Sequence, residues 1–262
     1  MRYFLLLTAV GTGVALAQAA CTQLPAETGT ASAAGQYTST GSRPAPPDTS
    51  GYETAPPRDP NGIARYYLGR QIAHVMGHEG ADWLERSGRA TEEGTDLLIN
   101  ELKLKPTDVV ADIGAGTGFF SFQLARRVPQ GRVLAVDIQP EMIAALTKTK
   151  AQRQATNVQP VLGQVDNPRL PAAAVDVVLI VDAYHEFDHP REMGRAIRQA
   201  LRPGTGRLAL VEYRAEDANV PIKRIHKMSV GQARKEMAAI GLQLVSVVET
   251  LPQQHLMLFK RP

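Results

Sequence analysis

The sequence feature that most constrains the fold is an apolar run followed by three glycines at alternate positions. The run is Val109–Ile113, and the glycines are Gly114, Gly116 and Gly118. This pattern predicts a buried strand, a tight turn and the start of a helix. Glycine lets the backbone turn sharply and lie close to a ligand, and a helix start offers unpaired N–H groups. The turn is therefore a candidate site for a polar cofactor.

The spacing of these glycines separates two classes of cofactor site. A dinucleotide fingerprint, G-x-G-x-x-G, needs a third glycine where this chain has Phe119. Asp112 precedes the turn, and a carboxylate there favours a zwitterionic amino acid group but repels a pyrophosphate. The sequence D-x-G-x-G-x-G resembles motif I of the class I S-adenosylmethionine-dependent methyltransferases. The resemblance implies S-adenosylmethionine as the cofactor, bound by Asp112, Gly114, Gly116 and Gly118.

The next predicted strand, Arg132–Ile138, carries a second mark of this family. Asp137 lies about 20 residues beyond the glycine turn, where nucleotide-binding sheets place an acid that accepts hydrogen bonds from ribose hydroxyls. The same position also suits an Asp that caps the helix predicted to begin near Pro140. By the resemblance, Ile138 or Met142 packs near the adenosine.

The loop after the third predicted strand departs from the family pattern. The family has an acidic residue directly after a glycine, where it contacts the adenine amine. This chain has Gln164 after Gly163, and the acid is displaced to Asp166. By the resemblance, either Asp166 or Gln164 contacts the adenine.

A nearly uninterrupted apolar run from residue 175 to 183 predicts a strand buried on both faces of a parallel sheet. It delivers Asp182, His185 and Glu186 to the carboxyl edge, where doubly wound sheets bind ligands. The segment resembles motif IV, whose residues flank the transferred methyl group, and the resemblance implies that Asp182 also contacts the cofactor. His185 is the candidate general base, because its unperturbed pKa suits that role, and Asp182 or Glu186 is expected to orient it. A structural loop histidine is the alternative.

The resemblance covers residues from about 108 to the C-terminus and implies an α/β fold. The expected architecture is a Rossmann-like, doubly wound sheet of seven strands, mostly parallel, with a C-terminal antiparallel hairpin at residues 242–250 and 254–260. The methyltransferase domain would span residues 105–262. Residues 62–104 are predicted to form a helical cap, because apolar and aromatic side chains recur there at helical spacing.

The N-terminal region reads differently from the rest. Residues 1–21 have one early positive charge, an apolar stretch and small residues before Cys21, which predicts a signal peptide or lipoprotein signal. Residues 22–61 are rich in Pro, Gly, Ser, Thr and Ala, which predicts a disordered linker. An exported, periplasmic or membrane-attached protein is expected, with a cytoplasmic location left open.

The amino-acid composition restricts the classes of reaction and partner that are expected. Cys21 is the only cysteine, which excludes methyltransferases that need a thiol nucleophile or several cysteines. A net charge of +3 with dispersed basic residues does not imply nucleic-acid binding. The expected function is methyl transfer to a small-molecule acceptor; the alternatives are a non-catalytic cofactor-binding envelope protein and an NAD(P)-dependent reductase.

One basic loop faces either an acidic substrate or solvent: Lys223, Arg224, His226 and Lys227.

Two histidine patterns have the spacing of metal ligands, and neither is predicted to bind metal. The segment from His185 to His189 satisfies H-E-x-x-H, which requires a continuous helix, but a strand leads into it and Pro190 follows it. His74 and His78 lie one turn apart on the predicted cap helix, where a solvated or hydrogen-bonded pair is the commoner outcome.

Overall fold

The structure, a computed structural model, describes residues 50–262, which form a small N-terminal sheet and a large sheet with helices on both faces. All of them fall in one unit, Pro47–Pro262. The strands are β1 (Tyr52–Thr54), β2 (Gly62–Tyr67), β3 (Arg70–Ala73), β4 (Val109–Ile113), β5 (Arg132–Asp137), β6 (Val158–Leu162), β7 (Val177–Val181), β8 (Arg207–Arg214), β9 (Lys227–Met228), β10 (Gln243–Val248) and β11 (Gln254–Lys260). The α-helices are α1 (Ala81–Leu84), α2 (Arg89–Glu93), α3 (Thr95–Glu101), α4 (Phe119–Arg127), α5 (Pro140–Gln152), α6 (Pro190–Ala200) and α7 (Val230–Ala239).

The large sheet has the predicted topology. Its order is β10-β11-β8-β7-β4-β5-β6, and the short β9 lies beside β8. The five neighbouring strands β8-β7-β4-β5-β6 pair in parallel, whereas β11 is antiparallel to both β8 and β10. The Rossmann-like α/β fold with its C-terminal hairpin is confirmed, and β9 is an addition that the sequence did not suggest.

Both faces of the sheet are covered, as the strand sequences require. All five residues of β7 are buried. Val177 and Leu179 join a cluster with α3 and α4, whereas Val178 and Ile180 join a second cluster with α6 and α7. Because helices cover both faces, this strand is apolar throughout rather than alternating.

The topology decides where a ligand can bind. The strand order reverses between β4 and β7, and in doubly wound sheets ligands bind beyond the carboxyl ends of the strands at such a reversal. The strands β4, β5 and β7 end at Ile113, Asp137 and Val181. The glycine turn, Asp137 and the segment after β7 therefore meet at one edge.

The predicted helical cap over residues 62–104 is wrong for its first part. Residues 62–73 form the hairpin β2–β3, a short 3-10 helix begins at His78, and the first α-helix begins at Ala81. Leu68 and Gly69 have positive φ angles of 47° and 92°, which suits the two-residue turn of a hairpin. The strand was missed because Tyr66 and Tyr67 are both buried, so β2 lacks the alternation that identifies strands. His74 consequently lies beyond a strand, and His74 and His78 do not share a helix.

The predicted linker over residues 22–61 extends too far. Tyr52 pairs with Tyr67 in the N-terminal sheet, and its hydroxyl donates a 2.6 Å hydrogen bond to Glu192 at the start of α6. One tyrosine thus ties the segment to the main sheet's helical layer. The signal prediction for residues 1–21 and the linker prediction up to residue 49 lie outside the described residues. Within residues 50–262, no helix has the length and apolar character needed to cross a membrane.

A buried ion pair attaches the N-terminal sheet to the large domain. Arg70 of β3 donates hydrogen bonds of 2.7 and 2.9 Å to the two carboxylate oxygens of Glu236 on α7. The Glu236 side chain is fully buried and that of Arg70 is 10% exposed. A third hydrogen bond, 3.0 Å long, joins Arg70 to the carbonyl oxygen of His185. The pair therefore connects β3, α7 and the segment after β7.

Replacing Arg70 should reveal the energetic importance of this contact. We expect Arg70→Leu to lower the free energy of unfolding by about 3–5 kcal/mol, because Glu236 would keep a buried, unpaired charge. The double variant Arg70→Leu/Glu236→Leu should recover most of the loss. Arg202→Leu removes a half-exposed pair with Asp176 and should cost about 1 kcal/mol or less. Urea unfolding measures all three; equal effects of the two single variants would contradict the prediction.

Candidate active site

The glycine turn after β4 adopts a backbone that requires glycine. Gly114, Gly116 and Gly118 have φ angles of 75°, 54° and 94°, a region that side chains disfavour. A Cβ atom on Gly114 would lie 2.8 Å from the Cβ of Ala183, and one on Gly116 would lie 2.6 Å from Leu84 Cδ1. The turn is therefore packed closely against both the exit of β7 and the helix α1.

Asp137 joins the end of β5 to this turn. Its Oδ2 atom accepts a 2.9 Å hydrogen bond from the backbone N–H of Gly116, and its Oδ1 atom accepts one of 2.9 Å from Gln139. Burial raises the pKa of Asp137, although the backbone donors oppose that shift. Ile138 follows directly and is half-buried. Asp137 and the glycine turn, predicted from separate motifs, are thus in direct contact.

Asp112 lies beneath the turn rather than on its open side. It is 3% exposed, and its Oδ2 atom accepts a 2.6 Å hydrogen bond from the hydroxyl of Ser121 in α4. Burial raises the pKa of Asp112 to about 6, against the opposing effects of the Ser121 hydroxyl and the Arg89 charge. In this structure, the Asp112 side chain links the end of β4 to the helix α4.

His185 is held by a carboxylate that the sequence analysis did not identify. Its Nδ1 atom lies 2.6 Å from Glu212 Oε2, and Glu212, in β8, is completely buried. Asp182, predicted to orient His185, instead accepts a 2.5 Å hydrogen bond from the Gln254 side chain. Burial raises the pKa of Asp182 well above its usual range, and Glu93 and Glu212 add to the shift. The available signal for Glu212 was one acid within the otherwise apolar strand β8.

Three potential ligand atoms converge on the other side of the His185 ring. Its Nε2 atom lies 3.1 Å from His226 Nδ1 and 3.7 Å from Glu186 Oε1, and His226 Nδ1 lies 3.8 Å from the same Glu186 oxygen. His226 belongs to the basic loop, so one member of that loop reaches the site. Lys223, by contrast, is exposed and donates a hydrogen bond to Asn61.

The charges of the two histidines are coupled through these neighbours. Burial alone would lower the pKa of His185, but the carboxylates of Glu212 and Glu186 outweigh it and raise the pKa to about 10. Burial and the adjacent His185 charge lower the pKa of His226. These surroundings favour the protonated form of His185 and the neutral form of His226.

A segment before α2 covers the carboxyl edge. The backbone N–H of Met76 donates a 3.0 Å hydrogen bond to Glu186, and the carbonyl oxygen of Met76 accepts one of 3.0 Å from Gln139. Further along, Leu84 packs on the glycine turn, and Glu85 accepts a hydrogen bond from the hydroxyl of Thr117. We call residues 76–85 the covering segment. It bridges the ends of β4, β5 and β7.

The structure does not bring Asp166 to the other site residues. Asp166 is exposed in the turn after β6, where Gln164 and Asn167 form an isolated bridge. No hydrogen bond links Asp166 to Asp137 or to the glycine turn among residues 50–262. The adenine contact of Asp166 or Gln164 therefore stays a prediction.

Similarity to known proteins agrees with this geometry. Residues 110–204, from within β4 to just beyond α6, match the family described as methyltransferase domain. Over these residues the chain is similar to methyltransferase domains. Its matched segment includes the glycine turn, Asp137 and the residues after β7, and it stops before Glu212 and His226.

The matches between this chain and curated relatives cover only part of each relative's length. An uncharacterized methyltransferase-like protein of Schizosaccharomyces pombe is 32% identical over 143 residues, 54% of this chain and 52% of that protein. An arsenite methyltransferase of Halobacterium salinarum is 32% identical over 108 residues, 41% of this chain and 27% of that protein. The chain thus spans about half the length of the first relative and about a quarter of the second.

A solved structure shows the fold over a longer stretch. A SAM-dependent methyltransferase from Aquifex aeolicus superposes with a TM-score of 0.67 and 20% identity, covering 72% of this chain and 100% of that chain. The S-adenosylmethionine-dependent methyltransferase fold, predicted from the ordered motifs, is confirmed.

Asp112 should reduce stability at neutral pH. Its pKa is raised on folding, so the unfolded chain releases this proton more readily, and stability from this group falls as pH rises from about 4 to about 6. We expect Asp112→Asn to raise the free energy of unfolding by about 1–3 kcal/mol at pH 7, with the gain vanishing below pH 4. Urea unfolding at several pH values measures it.

A surface acid provides the comparison for that measurement. Asp166→Asn changes an exposed position and should alter stability by about 0.5 kcal/mol or less throughout. A pH-independent effect of Asp112→Asn would contradict the predicted linkage.

Proposed function

We propose that this protein binds S-adenosylmethionine at the carboxyl edge of β4, β5 and β7 and transfers its methyl group to a small-molecule acceptor. The observation that carries the proposal is the contact between the backbone N–H of Gly116 and Asp137 at the reversal of strand order. In a methyltransferase domain, these are the positions expected to seat the nucleoside of the cofactor.

The proposed cofactor contacts follow from the geometry of the edge. Each carboxylate oxygen of Asp137 accepts one backbone hydrogen bond and keeps a further lone pair, which suits ribose hydroxyls. Ile138, half-buried beside it, would contact the adenine ring, with Asp166 or Gln164 at the ring's amine. Asp112 would act indirectly, through the backbone of Gly114, because its own carboxylate lies beneath the turn.

The proposed acceptor site is the cluster of His185, Glu186 and His226. Methyl transfer from a sulfonium is an in-line displacement, so positioning contributes much of the catalysis. The positive charge of His185 would attract an anionic acceptor oxygen, whereas a neutral hydroxyl would require the ring to lose its proton first. An arsenite-type acceptor is not proposed, because Cys21 is the only thiol.

Cofactor binding should be visible in the fluorescence of Trp83, the only tryptophan. Trp83 is half-exposed on α1, beside Leu84, which packs on Gly116 of the proposed cofactor site. We expect S-adenosylmethionine or its demethylated product to shift Trp83 emission with one-site saturation, confirmed by calorimetry. NADPH should give no such change.

Two glycine variants test whether the turn is the binding site. Gly116→Ala should weaken cofactor binding at least tenfold, because the new Cβ would lie 2.6 Å from Leu84 Cδ1 and force the turn and the covering segment apart. Gly204→Ala is the matched control: its φ of 74° imposes comparable backbone strain, but a Cβ there has open space and lies far from the turn along the chain. Equal affinities of the two variants, or no binding by folded wild-type protein, would contradict the proposal.

His185 should matter for turnover and not for cofactor affinity. We expect His185→Ala to reduce methyl transfer from labelled S-adenosylmethionine to a cell-extract acceptor by about 100-fold or more. Its cofactor affinity should stay near wild type, since His185 lies beside the acceptor. His74→Ala, which removes an exposed imidazole, should retain full turnover. Unchanged turnover in His185→Ala would remove this residue from the mechanism.

We also propose that the protein is exported, on the basis of the sequence of residues 1–21 alone. Export would carry the domain away from the cytoplasmic supply of S-adenosylmethionine. A cofactor-binding envelope protein without catalysis is the corresponding alternative, and it predicts cofactor binding without any labelled product.

A further inference from the structure

His185, Glu186 and His226 have the arrangement of a metal site. Their nearest nitrogen and oxygen atoms are separated by 3.1, 3.7 and 3.8 Å. An ion about 2.1 Å from each of three tetrahedral ligands would hold those ligands about 3.4 Å apart. The observed separations bracket that value without any rearrangement of the chain.

The geometry points to a divalent transition-metal site formed by His185 Nε2, His226 Nδ1 and Glu186 Oε1. Two imidazoles and one carboxylate are a ligand set that zinc and similar ions accept, whereas Mg²⁺ prefers oxygen ligands. Three protein ligands leave a fourth coordination position open. Metal ligation requires both of these ring nitrogens to be unprotonated, so the ion would compete with protons at this cluster.

Glu212 gives the site the support that metal-bound histidines usually have. Its buried carboxylate contacts His185 Nδ1 at 2.6 Å, which fixes the ring so that Nε2 faces His226 and Glu186. Such a carboxylate–histidine contact is typical of the residues behind a metal ligand. Two carboxylates and two neutral rings would also balance the charge of a divalent ion. Arg70, the nearby buried cation, is already neutralised by Glu236.

This site uses two residues of the H-E-x-x-H sequence, but not in the way that motif implies. A helical zinc motif would pair His185 with His189. Here residues 184–186 form a short 3-10 helix, Phe187 is extended, and His189 Nε2 lies 3.1 Å from Arg65. His226, distant in sequence, supplies the second imidazole. The site therefore could not be read from local spacing.

The site deepens the proposed function, and its catalytic role rests on that function. With the ion bound, the ion would replace the charge of His185 as the group that attracts an acceptor oxygen, and it would lower the pKa of a hydroxyl held there. Glu186 links the cluster to the cofactor side, because its other carboxylate oxygen bonds Met76 of the covering segment. Acceptors with a hydroxyl or carboxylate oxygen are the class that such an ion would recognise.

Metal binding can be measured independently of methyl transfer. We would treat full-length, tag-free protein with a chelator, remove the chelator, and titrate Zn²⁺ by calorimetry, with Mg²⁺ as a second probe. We expect one equivalent of Zn²⁺ to bind and Mg²⁺ to give no signal. His226→Ala and Glu186→Gln, both at partly exposed positions, should each weaken Zn²⁺ binding at least tenfold. His74→Ala, lacking an exposed imidazole outside the cluster, should bind as wild type does.

Cofactor binding, followed through Trp83 in the same samples, separates this inference from the proposed function. Retained S-adenosylmethionine binding with no Zn²⁺ binding would overturn the metal site alone. Zn²⁺ affinity that falls less than tenfold in both cluster variants, with thermal melts showing that they are folded, would overturn it equally. Zn²⁺ binding at this cluster in a protein that never binds S-adenosylmethionine would leave the metal site standing and overturn the proposed methyl transfer.

Discussion

The site depends on one contact, the hydrogen bond from the backbone N–H of Gly116 to the carboxylate of Asp137. It joins the turn after β4 to the end of β5, and it is possible only because the glycines adopt positive φ angles. The segment after β7 packs closely against the same turn, because Ala183 lies so near Gly114 that a Cβ on Gly114 would collide with it. The turn therefore sets the positions of three strand ends at once, and the covering segment rests on the surface that they form.

Buried acids surround this edge, and they oppose stability. Asp112 is buried and Asp182 is partly buried, and burial raises the pKa of both carboxyl groups. A domain optimised for stability alone would place apolar residues there. Ionisable groups retained in such surroundings are characteristic of functional sites, where altered pKa values serve binding or catalysis. The apolar sheet, buried on both faces, supplies the stability that offsets this cost.

The sequence predicted the parts of the fold that depend on local pattern. The turn at Gly114, the strand β7 and the C-terminal hairpin each have a periodicity or spacing that identifies them. The N-terminal hairpin has no such identifying pattern. Tyr66 and Tyr67 are both buried, so β2 does not alternate, and the apolar residues around them recur at helical spacing. The partner of His185 was also missed, because Glu212 is brought to it by pairing between parallel strands, which local sequence does not encode.

The H-E-x-x-H sequence shows why chemistry-bearing motifs have to be judged by backbone geometry. Its first two residues do lie in a cluster of potential ligands, yet the helix that gives the motif its meaning is absent from residues 184–189. The helix α6 begins at Pro190, so it contains neither His185 nor His189. The second imidazole comes instead from His226, just before β9, which pairs with the outer end of β8. Because Glu212 lies within the same β8, one strand both orients His185 and positions the loop that faces it.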